Sequence, residues 1–400
     1  MSRIKNNDKN GFSSSEVNMK KMMHRNKPLV ALITNHDDDV YCFRKELIEG
    51  LKKAGFNVLI SCPYGEKLNL MQDIKFKYDD VYIDRRGTNP LSDFKLMLHY
   101  RKMMHKYRPD VVLTYTSKPN VYASFAAKSL GIPYINNVTG LGSVLSMKTM
   151  MKSFIMALFK LAFRNSSCIF FQNEDNMKLA LKQGLVHGDY QLIPGSGVNV
   201  ERYPLQDYPN GGNGIEGENV VFNYIGRVLR DKGIDDYIEA AKYIKKKYPN
   251  TEFNIIGFIE PSESHYESEI EKLEKQGIVI YRGQQKDVKP FISRSHAIIH
   301  PSTYGEGMSN VLLENASSGR VIITTDNPGC KETLVNGKTG FIYHGGKVAE
   351  LIDRIERFLK LDNEYRKEMG ISGRDYVKKN FNREIVVNAY VNKINEVLRK

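Results

Sequence analysis

Short apolar runs without polar alternation recur along the chain, separated by amphipathic stretches, and this pattern leaves few folds open. PLVALIT (28–34), NVLISCP (57–63), DVVLTYT (110–116), CIFFQN (168–173) and YQLIPGSG (190–197) read as strands. Between them, FRKELIEGLKKAGF (43–56), DFKLMLHYRKMMHKY (93–107) and YASFAAKSLG (122–131) read as helices, the last followed by a strand at PYINNVTG. Strands apolar on both faces and separated by helices predict a parallel sheet of about six strands, covered on both sides.

A stretch rich in Pro and Gly, residues 204–218, interrupts the pattern, after which the alternation restarts at VVFNYIG and runs to VIITTD. At 400 residues the chain is long enough for two cores. The expected organisation is a disordered leader at 1–27, an α/β domain at 28–203, a linker at 204–218 and a second α/β domain at 219–380. A C-terminal helix at 381–400 is expected to pack back on the first domain. Two doubly wound sheets joined in this way face each other across a cleft at their carboxyl ends, where ligands of such sheets bind.

The four cysteines, Cys42, Cys62, Cys168 and Cys330, lie far apart with no metal-ligand or redox spacing, and read as ordinary thiols of a reducing compartment. No stretch is long and apolar enough to span a membrane, so a cytoplasmic protein is expected. Of the formal charge of +13, residues 1–205 carry 30 Lys and Arg against 18 Asp and Glu, and residues 206–400 carry 29 against 28. The excess therefore sits in the first half, which calls for an anionic partner. Nucleic acid is not expected, because no recognition helix, stacking platform or RNA-binding signature accompanies the charge. A glycine fingerprint for a dinucleotide is also missing.

The stretch IGRVLRDKG (225–233) places Arg227 and Lys232 in a loop beyond a strand, where two cations can neutralise a diphosphate. In PSTYGEGMSNVLLENASSGR (301–320), Glu306 and Glu314 bracket an expected helix start near 307–309, whose free amides and dipole favour an anion. If both glutamates share one helix, eight residues separate them by about 12 Å. That is roughly the distance from sugar to ribose in a nucleotide sugar.

From about Pro28 onward the chain resembles the retaining glycosyltransferase family 4, on GRVLRDKG, the Glu-x7-Glu segment and TTDNPGCKETLVNGKTGFI (324–342). In the first half, TYTSKPNVYAS, NNVTGLGSVL, FFQNEDN and LIPGSGVNVERYP are similar to a branch acting on polyprenyl-diphosphate-linked sugars in surface polysaccharide assembly. The resemblance implies a GT-B fold, two Rossmann-like domains facing a cleft, with a UDP-sugar donor and a lipid-linked saccharide acceptor. It implies that Arg227 and Lys232 bind the donor diphosphate, Glu306 the sugar and Glu314 the ribose, with Gly307, Met308, Ser309 and Asn310 supplying amides. Gln285 and Lys286 are candidates to flank the base. A soluble acceptor is the alternative. The first domain departs from the family pattern: TNHDDDVYCFRKEL stands where a glycine-rich loop is common, and Thr139 takes the place of a histidine. Asn35, Phe43, Arg44, Lys118 and Thr139 are the acceptor-side candidates.

No first-domain carboxylate stands out as a nucleophile, so same-face substitution is expected, with Glu306, Arg227 and Lys232 as the catalytic set and no metal or other cofactor. In MKTMMKSFIMALFKLAFR (147–164), Lys148, Lys152, Lys160 and Arg164 fall within an arc of about 160° on a helical wheel, against Met, Phe and Leu. Such a helix can lie on an anionic inner-leaflet surface, which predicts a peripheral association with the membrane.

Overall fold

The computed structural model describes residues 27–85, 87, 89–140, 149–305 and 307–399; the expected leader, apart from Lys27, lies outside them. The first domain carries seven parallel strands, β1 (Leu29–Ile33), β2 (Asn57–Cys62), β3 (Lys77–Asp80), β4 (Val111–Tyr115), β5 (Tyr134–Val138), β6 (Cys168–Phe171) and β7 (Tyr190–Leu192). Their order is β3-β2-β1-β4-β5-β6-β7. Every residue of β1, β4 and β5 is buried, as two covered faces require. The seventh strand, β3, has the sequence KYDD, and its polar, partly exposed edge gives no apolar run to read.

Among the described residues this domain has six helices: α1 (Asp37–Phe43), α2 (Lys45–Lys53), α3 (Pro90–Tyr107), α4 (Ser117–Ser129), α5 (Thr149–Phe163) and α6 (Glu174–Lys182). The expected helix from residue 43 is preceded by a separate one. His36 caps α1 by accepting the Asp38 N–H (3.1 Å), and Arg44, at φ −126° and ψ −4°, breaks the chain between α1 and α2. The strands sort the helices by side-chain parity. Val30 and Leu32 face Leu47, Ile48 and Leu51 of α2, while Ala31 and Ile33 face Leu96 and Tyr100 of α3 and Ala123 and Ala126 of α4.

The second domain holds β8 (Val220–Ile225), β9 (Thr251–Ile256), β10 (Ile280–Gly283), β11 (Ala297–His300), β12 (Val321–Thr325) and β13 (Gly340–Tyr343), in the order β10-β9-β8-β11-β12-β13 and again parallel. Its helices are α7 (Ile234–Lys247), α8 (His265–Lys275), α9 (Lys289–Arg294), α10 (Asn310–Ser317), α11 (Val348–Lys360) and α12 (Asn363–Asn380). The last helix, α13 (Arg383–Arg399), leaves this domain and packs Val386, Tyr390, Ile394 and Val397 into the α2 face of the first.

The segment expected as a linker is bound along the second domain. The buried Arg320 donates from Nη2 to the Asp207 carbonyl (2.7 Å), and the buried Arg366 from Nη1 to that of Gly212 (2.9 Å). His296, its pKa lowered to about 4 by burial and by the Arg366 cation, stays neutral at physiological pH. Its Nδ1 accepts the Val221 N–H (3.0 Å), which leaves Nε2 to donate to the Asn210 carbonyl (3.1 Å). Composition reads this stretch as free, but three side chains from the domain beside it hold its carbonyls.

The chain in fact passes between domains at Gly195–Asn199 and at Phe381–Arg383, two segments joined by a parallel bridge between Val198 and Asn382. Gly197 sits at φ +67°, and a Cβ there would lie 2.7 Å from the Arg383 Cα and 3.0 Å from the Phe381 carbonyl oxygen. Both objections come from backbone, which cannot swing away. Gly197→Ala should therefore lower stability by about 2–4 kcal/mol, read as a fall in the urea midpoint; an unchanged midpoint would show that the crossing tolerates a side chain.

Candidate active site

At the centre of the second sheet the strand order reverses between β8 and β11, which opens a crevice beyond their carboxyl ends. The loop after β8 runs from Gly226 to Gly233. Gly233, at φ +75°, has no room for a Cβ because the Pro301 carbonyl fills that space. The Thr303 and Tyr304 amides both donate to the Asp231 carbonyl (3.0 Å each), and Thr325 Oγ1 and Asn327 Nδ2 donate to Ser302 O (2.7 and 2.8 Å). The loops after β8, β11 and β12 are thus tied together around the crevice.

Arg227 stands in this cluster with its side chain 43 % exposed and Nη1 2.5 Å from Oε1 of the largely buried Glu260. The Lys232 ammonium lies 5.2 Å from the centre of the Tyr304 ring. Two cations held by a carboxylate and an aromatic face, on a loop braced at both ends, can accept a diphosphate without reorganising. The sequence reading missed Glu260 and Tyr304. Glu260 could have been sought in the loop after β9, the strand beside β8.

The second expected element departs from its reading. The helix α10 begins at Asn310, with Ser309 at the capping position, so the segment before it is not helical and the 12 Å spacing argument does not apply. Glu306 lies outside the described residues. Gly307 and Met308 form a contact with the first domain instead of a helical turn. The Gly307 carbonyl accepts from Asn173 Nδ2 (2.5 Å), and a Cβ on Gly307 would overlap the Thr139 carbonyl and the Gln172 side chain. Met308 is buried against Gly195. The Ser309 N–H donates to the Gly329 carbonyl (2.8 Å) and its Oγ lies 3.3 Å from His300 Nε2, so this amide is not offered to a ligand. The physical reason is reach: the chain leaving β11 must touch the opposite domain before it can turn into α10. A second link, Lys331 Nζ to Asp175 Oδ2 at 2.7 Å, spans the same gap.

Glu314 sits one turn further along α10, hydrogen-bonded to Tyr203 and within the field of Arg202 and Arg383. Desolvation outweighs both cations and pushes its carboxyl up to about 7. Nearby, a cavity of about 460 Å³ between the domains is lined by Tyr41, Asn199, Arg202 and Lys286 among others. Lys286 is therefore placed at the cleft, whereas the exposed Gln285 turns back onto the Arg282 carbonyl.

The acceptor-side candidates divide. Arg44 is no open loop residue: it is 5 % exposed, its guanidinium lies 4.1 Å over the Tyr115 ring, and Nη1 donates to Ser196 Oγ (2.7 Å) and to the Phe43 carbonyl (3.0 Å). Lys118 is held by Asp93 at 2.6 Å, between α4 and α3. Phe43 ends α1, half-buried. Asn35, beyond β1, and Thr139, beyond β5 and against Gly307, remain at strand ends.

The raised Glu314 pKa has a stability consequence. Folded, the carboxyl keeps its proton up to about pH 7, while unfolded it loses it near its ordinary 4.5. The folded state therefore loses stability as pH rises through that interval, and stays at the lower level above it. Glu314→Gln cannot ionise, so it should be more stable than wild type at pH 8, by up to about 3 kcal/mol. The gap should narrow to below about 1 kcal/mol at pH 5; melting curves showing the same gap at both values would refute the assignment.

Comparison with known proteins identifies the two domains. The model for glycosyl transferases group 1 matches residues 210–376, and that for glycosyl transferase 4-like domains matches 29–173. The capsular polysaccharide biosynthesis glycosyltransferase CapM of Staphylococcus aureus is 27 % identical over 355 residues, 85 % of this chain and 90 % of its own. The N,N'-diacetylbacillosaminyl-diphospho-undecaprenol alpha-1,3-N-acetylgalactosaminyltransferase of Campylobacter jejuni is 25 % identical over 83 % of this chain and 89 % of its own. Among solved structures, Anabaena HepE with UDP and glucose superposes with a TM-score of 0.75 at 15 % identity, covering 92 % of this chain and 100 % of that one, which shows the shared GT-B fold. The chain thus pairs a glycosyl transferase 4-like first domain with a glycosyl transferases group 1 second domain on the GT-B fold.

Proposed function

We propose that the protein transfers a sugar, an N-acetylhexosamine or hexose, from a UDP-sugar to a polyprenyl-diphosphate-linked saccharide, with retention of configuration and without a metal. The observation that carries this reading is the pair Arg227 and Lys232, braced by Glu260 and Tyr304 at the switch point of the second sheet. Supporting it, the Campylobacter relative is named for a diphospho-undecaprenol substrate. Glu314, once ionised, accepts the ribose hydroxyls, and Glu306 is assigned to the donor sugar. The leaving diphosphate takes the acceptor hydroxyl's proton as the new glycosidic bond forms on the face the diphosphate leaves. Arg227, Lys232 and the α10 dipole stabilise the charge that develops on it.

A lipid-linked acceptor brings the protein to the inner face of the membrane. Among the described residues, no helix is long and apolar enough to cross one. Lys148 lies outside those residues. On α5 the buried side is Phe159, Ala162 and Phe163, and the outward side presents Met150, Phe154 and Leu161, with the exposed Lys160 and Arg164 on its flank. This apolar outer stripe with cations beside it fits an interfacial helix.

UDP should raise the melting temperature in proportion to the logarithm of its concentration. Arg227→Ala and Lys232→Ala should each reduce turnover of a UDP-sugar with a lipid-linked acceptor by about 10²-fold or more, and Glu306→Ala should abolish it, all with unchanged circular dichroism. Wild-type rates in these variants would remove the donor site, and an inverted anomeric centre in the product, read by NMR, would remove the mechanism. Because the ionised Glu314 accepts hydroxyl hydrogen bonds more strongly than the protonated form, UDP affinity should rise with pH up to about 7 and then level off.

A further inference from the structure

The sheet face opposite α2 and α13 is covered by three helices, with α4 in the middle, touching α3 on one side and α5 on the other. Most of α4 is buried, so the outer surface belongs to α3 and α5. The inner side of α3 is Leu96, Tyr100, Met103 and Met104, which completes its share of the core. Its outer side nevertheless carries Leu91, Phe94 and Leu98, exposed by 73, 55 and 44 %. At i, i+3 and i+7 these three form one stripe about 10 Å long and are not scattered single residues.

The charges around that stripe are of one sign. Lys95, Arg101, Lys102 and Lys106 are exposed on the same helix, and its single carboxylate, Asp93, is turned inward to Lys118 and Tyr122. Residues 90–164, which hold all three helices, contain eleven lysines and arginines against two aspartates, nine of the chain's thirteen net positive charges. A face that needed only water would mix both signs. One that pairs an apolar stripe with unopposed cations matches an anionic bilayer surface, apolar groups below the headgroups and ammonium groups among them.

We propose that α3 is a second membrane anchor, and that its stripe and that of α5 form one docking face for anionic lipid. In a parallel α/β domain each helix starts from the carboxyl ends of the strands, so Leu91 and Phe94, like Met150 and Phe154, lie near the cleft end of their helices. Docking through both helices therefore sets the cleft mouth at the headgroup layer, where the diphosphate of a lipid-linked acceptor resides. The inference rests on the membrane-bound acceptor proposed above.

Flotation of the whole chain with phosphatidylglycerol–phosphatidylcholine vesicles, against pure phosphatidylcholine, tests it. The triple variant Leu91→Ser, Phe94→Ser, Leu98→Ser should bind the anionic vesicles about tenfold or more weakly. Its UDP-induced thermal shift and its turnover of a water-soluble acceptor should match wild type. Wild-type protein that binds these vesicles while the triple variant binds equally well overturns the role of α3 and leaves α5 as the anchor. Wild-type protein that ignores anionic vesicles at low salt overturns the membrane reading itself. A wild-type dimer in light scattering that the triple variant converts to monomer identifies the face as a contact between copies, and overturns the proposal.

Discussion

The guanidinium of Arg383 joins the two halves of this molecule. It donates from Nη1 to Glu46 Oε2 (2.5 Å) and to the Cys42 carbonyl (3.2 Å), and from Nη2 to the Gly197 carbonyl (3.0 Å). Asn199 holds the other oxygen of the same glutamate at 2.8 Å. One buried cation thus binds α1, α2 and both passages of the chain between domains. A pair so enclosed is retained because removing either partner would strand the other charge. The relative position of the two sheets, and so the width of the cleft, depends on it.

That joint also reaches into the chemistry. Arg383 is the largest of the influences that lower the Glu314 pKa, against the desolvation that raises it. The residue that fixes the domains thus also favours ionisation of this buried carboxyl. In the same domain, Glu260 does the reverse for Arg227, holding a cation in place by partial neutralisation. An anion entering there would meet a guanidinium that is already oriented, so binding energy would not be spent on ordering it.

Much of the fold is legible in the sequence because its signal is local. LVALI and VVLTY are apolar on both faces, and no other environment suits them. The loop cations Arg227 and Lys232 are legible for the same reason, since a strand end fixes where they stand. What was not legible depends on contacts far apart in sequence. The start of α10 is set by Asn173, 134 residues before Gly307. Lys118 reads as a free strand-end cation until Asp93 is brought beside it by the packing of α3 on α4. The Pro- and Gly-rich stretch at 204–218 reads as slack chain because nothing in it announces the arginines, more than a hundred residues later, that grip it.

The bridge between Val198 and Asn382 sets what the cleft can do when it opens. Two chain passages lying side by side and sharing a ladder bond act like a short torsion spring. They can twist and bend together, but neither can lengthen without the other, so sliding of one domain past its neighbour is barred. In a rotation about this axis, points close to it would travel less than outer contacts such as Lys331 with Asp175. A ligand held near that axis would be displaced less by such a motion than one held at the far lip of the cleft.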